Sequence, residues 1–314
     1  ACGKRDSEPI PAPPGGQVPS PILPQCFRRE HVALRIVLDK PERQQAMIGI
    51  FDSGSGGLTI LRALQATLPD RDFLYLGDHA RAPYGNRDPA EILAFTREAV
   101  DRLLAQGCRL IVIACNTAGA IALRPLQQSW LPGRAPEARL LGVHIPLLEA
   151  ITGLPWRPLP AAVEARPPRR VGIFATPATV ASGALVEEIR LRAPEIAVLQ
   201  QDCPGLAEAI EADDLDRTAQ LVDAAVRSLM AQPGAAEIRS VALACTHYPF
   251  ARKWFRAALP DQIAIFEQPA LVAESLAAYL DRHPGLDSPG SGRLRLLSTG
   301  DPAVFETAFA RLAS

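Results

Sequence analysis

Residues 110–118, LIVIACNTA, decide the fold. An unbroken apolar run from Leu110 to Ala114 ends in Cys115, Asn116 and Thr117, and a helical pattern follows at once. A short run that is apolar on both faces reads as a buried parallel strand. In open α/β sheets ligands sit at the carboxyl ends of strands, which is where this thiol stands. Residues 241–248, VALACTHY, repeat the arrangement: an apolar strand, then Cys245, Thr246 and His247, then another helix. Two matching strand-Cys-Thr corners point to two thiols aimed at one substrate from two sides. A cysteine at the end of an apolar strand is by itself most simply a small buried hydrophobe. The pairing of the corners makes the catalytic reading the stronger one.

Outward from these corners the chain alternates strand and helix. Strands are expected at 48–51, 73–76 and 140–143, with helices at 58–67 and 89–105, a glycine-rich turn DSGSGG at 52–57 and a loop over 77–88. Proline-rich residues 153–169 read as a connecting loop. The alternation restarts with a strand at 171–175, a helix from about 179, a strand at 196–200 and a helix opened by Cys203-Pro204-Gly205. A helix at 214–231, a strand at 263–266, a helix to about 280, a loop at 285–292, a strand at 294–298 and a terminal helix complete the chain. Strands separated by amphipathic helices imply parallel sheets with right-handed crossovers. The fold class is α/β, with two similar doubly wound domains and mainly parallel sheets. Residues 1–46 differ: proline-rich, with scattered charges and no sustained period, they read as a disordered arm without a secretory h-region. Periodicity begins at Met47, one of only 2 methionines, which suggests a regulatory appendage or upstream sequence from a misassigned start, though the arm reads most simply as a poorly ordered tail without function.

Composition narrows the function. The 314 residues are 48 % hydrophobic with a formal net charge of −1, so no basic surplus marks nucleic acid or an anionic membrane as partner. No apolar run is long enough to span a bilayer. The 6 cysteines show no C-x-x-C and no His-paired metal spacing, which favours reduced thiols in a cytosolic protein over a disulfide framework or a metal site. DSGSGG is neither a P-loop nor a clean dinucleotide fingerprint, and an Asp at its head would repel phosphate.

The corners suit proton transfer at carbon. A helix amino terminus offers free N–H groups and partial positive charge, which stabilise a thiolate and give donors to a carboxylate. Asp52, ending the first strand, falls on the same sheet edge as Cys115, and His247 stands two residues after Cys245; either could take or orient a proton. One thiolate and one thiol on opposite faces of a carbon centre can remove a proton and return it from the other side, which is racemisation or epimerisation. No pyridoxal or nicotinamide site is evident, so the route reads as free of a cofactor. Cys108 and Cys203 lack a comparable corner and read as packing residues. His79 and His144 are lone histidines, more often structural.

The chain resembles glutamate racemases of the aspartate/glutamate racemase superfamily. The resemblance rests on IGIFDSGSGGLTILRAL, YLGDHARAPYG, IVIACNTAGA, VGIFATPATVASG, CPGLAEAIE, LACTHYP and STGDP, in order from Met47 onward. It implies cofactor-independent interconversion of L- and D-glutamate, supplying D-glutamate for peptidoglycan. Cys115 would act on the α-proton of D-glutamate and Cys245 on that of L-glutamate, with Asp52 beside the first thiol, His247 beside the second and Glu211 assisting that histidine. Substrate contacts would come from Ser53, Tyr84, Gly85, Asn116, Thr117, Thr176 and Thr246. The resemblance further implies that residues from about 268 fold back onto the first domain, giving domains of 47–140 plus 268–314 and of 141–267, with the active site in the cleft between them. Members are often homodimers, some are activated by UDP-N-acetylmuramoyl-L-alanine, and some are said to bind DNA gyrase, though nothing basic or aromatic here marks such an interface. His79 departs from the family, standing where many relatives carry a small hydroxyl residue. Thr-His-Tyr-Pro after Cys245 favours glutamate over aspartate.

Overall fold

The computed structural model describes residues 35–37, 47–155, 167, 169–301, 305 and 307. The strands are β1 (Arg35–Val37), β2 (Ile48–Asp52), β3 (Phe73–Gly77), β4 (Leu110–Ile113), β5 (Arg139–Gly142), β6 (Arg169–Ala175), β7 (Ile196–Asp202), β8 (Ile238–Ala244), β9 (Ala264–Phe266) and β10 (Leu294–Ser298). The helices are α1 (Leu58–Thr67), α2 (Pro89–Ala105), α3 (Asn116–Pro125), α4 (Leu131–Arg134), α5 (His144–Thr152), α6 (Pro177–Ser182), α7 (Ala184–Arg192), α8 (Leu206–Glu211), α9 (Leu215–Met230), α10 (Arg252–Ala258) and α11 (Gln268–Arg282).

Two sheets organise these elements, in the orders β1-β10-β3-β2-β4-β5 and β7-β6-β8-β9. Among the described residues every strand pairing is parallel except β1 with β10, and an isolated antiparallel bridge joins Arg71 to Pro289. The LIVI of β4 is buried throughout because the sheet has a core on each face. Ile111 and Ile113 pack with Phe51, Leu76 and the α2 and α3 residues Leu103 and Ala122, whereas Leu110 and Val112 pack with Ile50, Tyr75 and the α1 and α11 residues Leu61 and Leu276. The second sheet repeats the scheme. Leu243 packs with α8, α9 and α10 through Leu206, Val222 and Phe255, while Ala242 and Ala244 pack with α5 and α7 through Leu148 and Ile189.

Most elements lie where periodicity places them. Helix α5 is an exception, since only a strand ending at 143 and a loop from 153 were expected around it. His144, Pro146, Leu147, Leu148, Ile151 and Thr152 of this helix are buried, and its half-buried side of Ile145, Glu149 and Ala150 carries a single charge, too little polarity to reveal a period; a proline in the first turn costs no helical hydrogen bond. The helix expected from 179 is two helices, α6 and α7, divided at Gly183, whose φ of 64° is the left-handed region glycine enters without strain. Within the arm expected to be disordered, Arg35–Val37 pair antiparallel with β10 as an edge strand. The rest of that arm, loop residues 156–166 and most of the terminal helix lie outside the described residues. Among the described residues no helix is long and apolar enough to cross a membrane.

Chain return to the first sheet is clasped by Asp72, whose side chain has no solvent exposure. Its Oδ1 accepts from the backbone N–H of Ser291 and Arg293, both at 2.9 Å, and its Oδ2 from Arg293 Nε at 3.0 Å and Nη2 at 2.9 Å. Burial alone would raise this carboxyl, but these donors hold it below the usual carboxylate range. The clasp is therefore at full strength above the unfolded-state value near pH 4 and weakens as pH falls through the lower folded value. Asp72→Ala is expected to cost about 1–2 kcal/mol, since it removes the hydrogen bonds of a buried carboxylate to donors that are themselves only partly buried and can turn to water. Thermal melts should show this as a fall in Tm at pH 7, with the difference from the parent shrinking toward pH 3. Equal melting at pH 7 would show that the clasp contributes nothing.

Candidate active site

The carboxyl ends of β2, β4, β6 and β8 open onto one cavity of about 380 Å³, a size usual for small-molecule sites. Its wall includes Ser53, His79, Tyr84, Gly85, Cys115, Asn116, Thr117, Thr176, Glu211, Cys245, Thr246 and His247. The register of the sheets explains the convergence. Phe51 pairs with Ile113 in the first sheet and Ala175 with Ala244 in the second, so the residues that follow these strands emerge side by side.

Cys115 caps α3, its Sγ accepting from the Ala118 N–H at 3.4 Å and lying 3.2 Å from Ser53 Oγ. The helix terminus was expected to stabilise a thiolate. Instead, burial and then the neighbouring Asp52 charge push the Cys115 thiol up to about 12, outweighing Ser53 and the helical N–H. In the free site it is therefore a protonated thiol, a proton donor at neutral pH.

Asp52 is fully buried, and its Oδ1 accepts from the Gly54 N–H at 2.9 Å while its Oδ2 accepts from Thr246 Oγ1 at 3.2 Å. Burial raises its carboxyl above the usual range, against the opposing pull of His247, the Gly54 and Gly57 N–H groups and Thr246. A second bridge between the sheets runs from Thr117 Oγ1 to Thr176 Oγ1 at 2.9 Å, and Thr179 closes a triangle of hydroxyls with them. Each cysteine is thus followed by a threonine that reaches the opposite half.

On the second corner, Cys245 Sγ lies 3.9 Å from His247 Nδ1, and His247 Nε2 hydrogen-bonds Glu211 Oε2. Glu211 Oε1 accepts from Ser55 Oγ at 2.5 Å, which ties the glycine-rich turn to α8. Burial opposes charge on both partners of the histidine–glutamate pair. Even so, hydrogen bonding to His247 and Ser55 holds the Glu211 carboxyl down at about 2, and the bonds to Cys245 and Glu211 raise His247 well above its ordinary value. The pair is an imidazolium–carboxylate, with its positive member facing the second sulfur. Gly56 makes this approach possible: a Cβ there would lie 2.5 Å from His247 Nδ1 and 2.6 Å from Thr246 Oγ1.

The Asp/Glu/Hydantoin racemase family model matches residues 57–274. The glutamate racemase of Roseobacter denitrificans is 46 % identical over 264 residues, covering 82 % of this chain and 92 % of its own. The chain belongs to this racemase family. Among solved structures, the glutamate racemase from Thermus thermophilus in complex with beta-chloro-D-alanine is 33 % identical, with a TM-score of 0.71 over 87 % of this chain and 95 % of its own. That of Francisella tularensis in complex with D-glutamate is 27 % identical, with a TM-score of 0.72 over 86 % and 94 %.

Of the site residues singled out from sequence, all but Asp52 line this cavity, though several have their polar groups committed elsewhere; Asp52 lies behind the wall, fully buried and bonded to Thr246. Tyr84 gives its ring to the wall while its hydroxyl donates to Asp78 Oδ2 at 2.5 Å. Gly85 lies against Thr176, where a Cβ would come within 3.0 Å of the threonine Cβ. The Asn116 amide is paired with Gln268. His79 lines the cavity with Nδ1 3.1 Å from Ser298 Oγ, its ring tilted against Phe305, and burial holds its basicity below the ordinary value. Cys203, expected only to pack, also stands at a strand-to-helix corner, between β7 and α8, and joins both the core and the cavity wall. Ser55, Asp78, Thr179 and Gln268 were not anticipated. Asp78 and Thr179 meet Tyr84 and Thr176 nearby in sequence, whereas Ser55 and Gln268 are placed by contacts distant in sequence.

Proposed function

We propose that this racemase interconverts L- and D-glutamate by passing a proton between two cysteines, without a cofactor, and supplies D-glutamate for peptidoglycan. The observation that carries the reading is the pair of cysteine corners facing one cavity from two sheets, each with its own acid–base partner. With L-glutamate bound, the Cys245 sulfur takes the α-proton from one face of Cα, and the Cys115 thiol returns its own proton to the other face. D-glutamate results, with the proton now on Cys245 and the thiolate on Cys115. The reverse reaction begins from that state, so Cys115 serves D-glutamate and Cys245 serves L-glutamate.

The flanking groups suit these roles. His247 places positive charge where Cys245 sulfur carries negative charge, and Glu211 and Ser55 hold that ring in place. Asp52, raised by burial, is positioned to share a proton with the first corner and so reset it. The main-chain N–H groups that open α3 at Asn116 and Thr117, with the hydroxyl of Ser53, offer donors to the substrate carboxylates, and Thr176 and Thr246, whose hydroxyl protons go to Thr179 and Asp52, line the site beside them. Tyr84 and Gly85 complete the wall, Gly85 against Thr176.

A circular-dichroism time course without added cofactor tests the reading. The signals of D-glutamate and of L-glutamate should each decay to zero, and that of D-aspartate should stay constant. Loss of the aspartate signal alone would move the specificity to aspartate, and silence with every substrate would remove the racemase assignment. Repeating the assay with UDP-N-acetylmuramoyl-L-alanine tests the activator implied by resemblance, and a rate that does not rise removes it.

A further inference from the structure

The chain passes between the two sheets twice. Helix α5 follows β5 of the first sheet and precedes β6 of the second, and α11 follows β9 of the second and precedes β10 of the first. The first residues of both helices meet at Asn116, the residue immediately after Cys115. Gln268 opens α11 and is only 1 % exposed. Its Nε2 donates to Asn116 Oδ1 at 2.8 Å and to the Val143 carbonyl at 3.1 Å, while its Oε1 accepts from Asn116 Nδ2 at 2.7 Å. His144 opens α5, is buried, and hydrogen-bonds the Asn116 backbone through its ring. That ring presses on α3 at Gly119, where a Cβ would come within 2.9 Å of its Cε1.

A reciprocal amide pair is directional, since each side chain supplies a donor and an acceptor to the other and no isosteric apolar or ionised residue reproduces both. Rotation of one sheet against the other must turn about the two connections, and their starting residues are tied to the backbone and side chain of Asn116. The tie therefore reaches the Cys115 sulfur through one peptide unit and through the α3 amino terminus that this sulfur caps.

We propose that Gln268 is a positioning residue for Cys115: by clasping Asn116 it locks the first cysteine corner to the hinge between the sheets, so that the sulfur is aligned for proton transfer when the clasp is made. The inference rests on the racemase reading insofar as Cys115 moves the proton. The geometry of the clasp has a readout of its own.

The variants are Gln268→Leu, Gln268→Glu, Asn116→Ala and the double variant Asn116→Ala/Gln268→Leu. Gln268→Glu keeps the size and the acceptor for Asn116 Nδ2 but sets an oxygen against Asn116 Oδ1 and the Val143 carbonyl. Either substitution at 268 should lower kcat by about tenfold or more while KM moves by less than about threefold, the signature of misaligned rather than unbound substrate. Because Gln268 acts through Asn116, the double variant should be no slower than Asn116→Ala alone. Fold-changes that multiply in the double variant, or a Gln268→Glu enzyme with the parental kcat, would overturn the proposal. If Gln268→Leu does not fold, the nearly isosteric Gln268→Glu decides.

Independently of turnover, iodoacetamide labelling read by mass spectrometry gives the ratio of alkylation rates at Cys115 and Cys245. The clasp predicts that this ratio shifts by more than about threefold in the Gln268→Glu protein. An unchanged ratio would overturn it. A parent protein inert toward glutamate would defeat the functional reading, and the labelling ratio would still decide the clasp.

Discussion

Serine in place of Cys115 or of Cys245 is expected to lower turnover by more than about a hundredfold, the scale on which lost acid–base groups are felt. Both sulfurs are nine-tenths or more buried, and a serine oxygen is the smaller atom, so neither change overfills its corner. What changes is the acid–base chemistry, because a hydroxyl gives up its proton far less readily than a thiol. The two losses should be of the same order, since a route that needs one group on each face fails when either is missing. Because the enantiomers have equal energy, kcat/KM must fall equally in both directions in each variant. Circular-dichroism kinetics started from each enantiomer measure this, with the far-ultraviolet spectrum confirming the fold. A variant retaining more than about a tenth of the parental rate would remove its cysteine from the proton path.

The second large effect is expected at the partner of Cys245. His247→Asn removes the imidazolium beside the sulfur and should lower kcat by about a hundredfold. Glu211→Gln leaves the ring but withdraws the carboxylate that helps to raise it, and its expected cost is about tenfold. The pH dependence separates the two roles. Glu211 is depressed to about 2 and His247 is raised, so the pair is fully ionised across the range from the ordinary carboxylate value to the ordinary histidine value. It is lost as pH falls through about 2 or rises through the elevated histidine value. Removing the carboxylate lowers the His247 value, so the alkaline limb of the Glu211→Gln profile should move to lower pH. An alkaline limb that stays in place would show that His247 does not depend on Glu211.

Much of this architecture is legible in the sequence because the strands are short and apolar and their neighbouring helices carry polar faces. The run 110–114 and its counterpart before Cys245 announced the two sheets, and the matching corners announced the cavity. Helix α5 was hidden because Glu149 alone marks its half-buried side with charge. The edge strand Arg35–Val37 was hidden by its proline-rich surroundings, since three residues are too few to show a period. Within the site, the residues that follow strand ends could be found, because chain direction fixes them at one sheet edge. Which of them pair could not be read: Thr246 reaches Asp52 across 194 residues of sequence, Ser55 reaches Glu211 across 156, and Asn116 reaches Gln268 across 152. The effect of burial on Cys115 was equally hidden. A helix terminus is visible in sequence, whereas the depth of the sulfur and its nearness to Asp52 exist only in the folded chain.

The central claim is that the proton leaves one face of the α-carbon for one cysteine and arrives on the other face from a second. The direct test is racemisation in D2O, followed to low conversion from each enantiomer by mass spectrometry after separating the enantiomers. A two-base route predicts product carrying deuterium at Cα while the remaining substrate keeps its protium, in both directions. Product that retains the substrate's own proton would show that a single group removes and returns it, and would contradict the account.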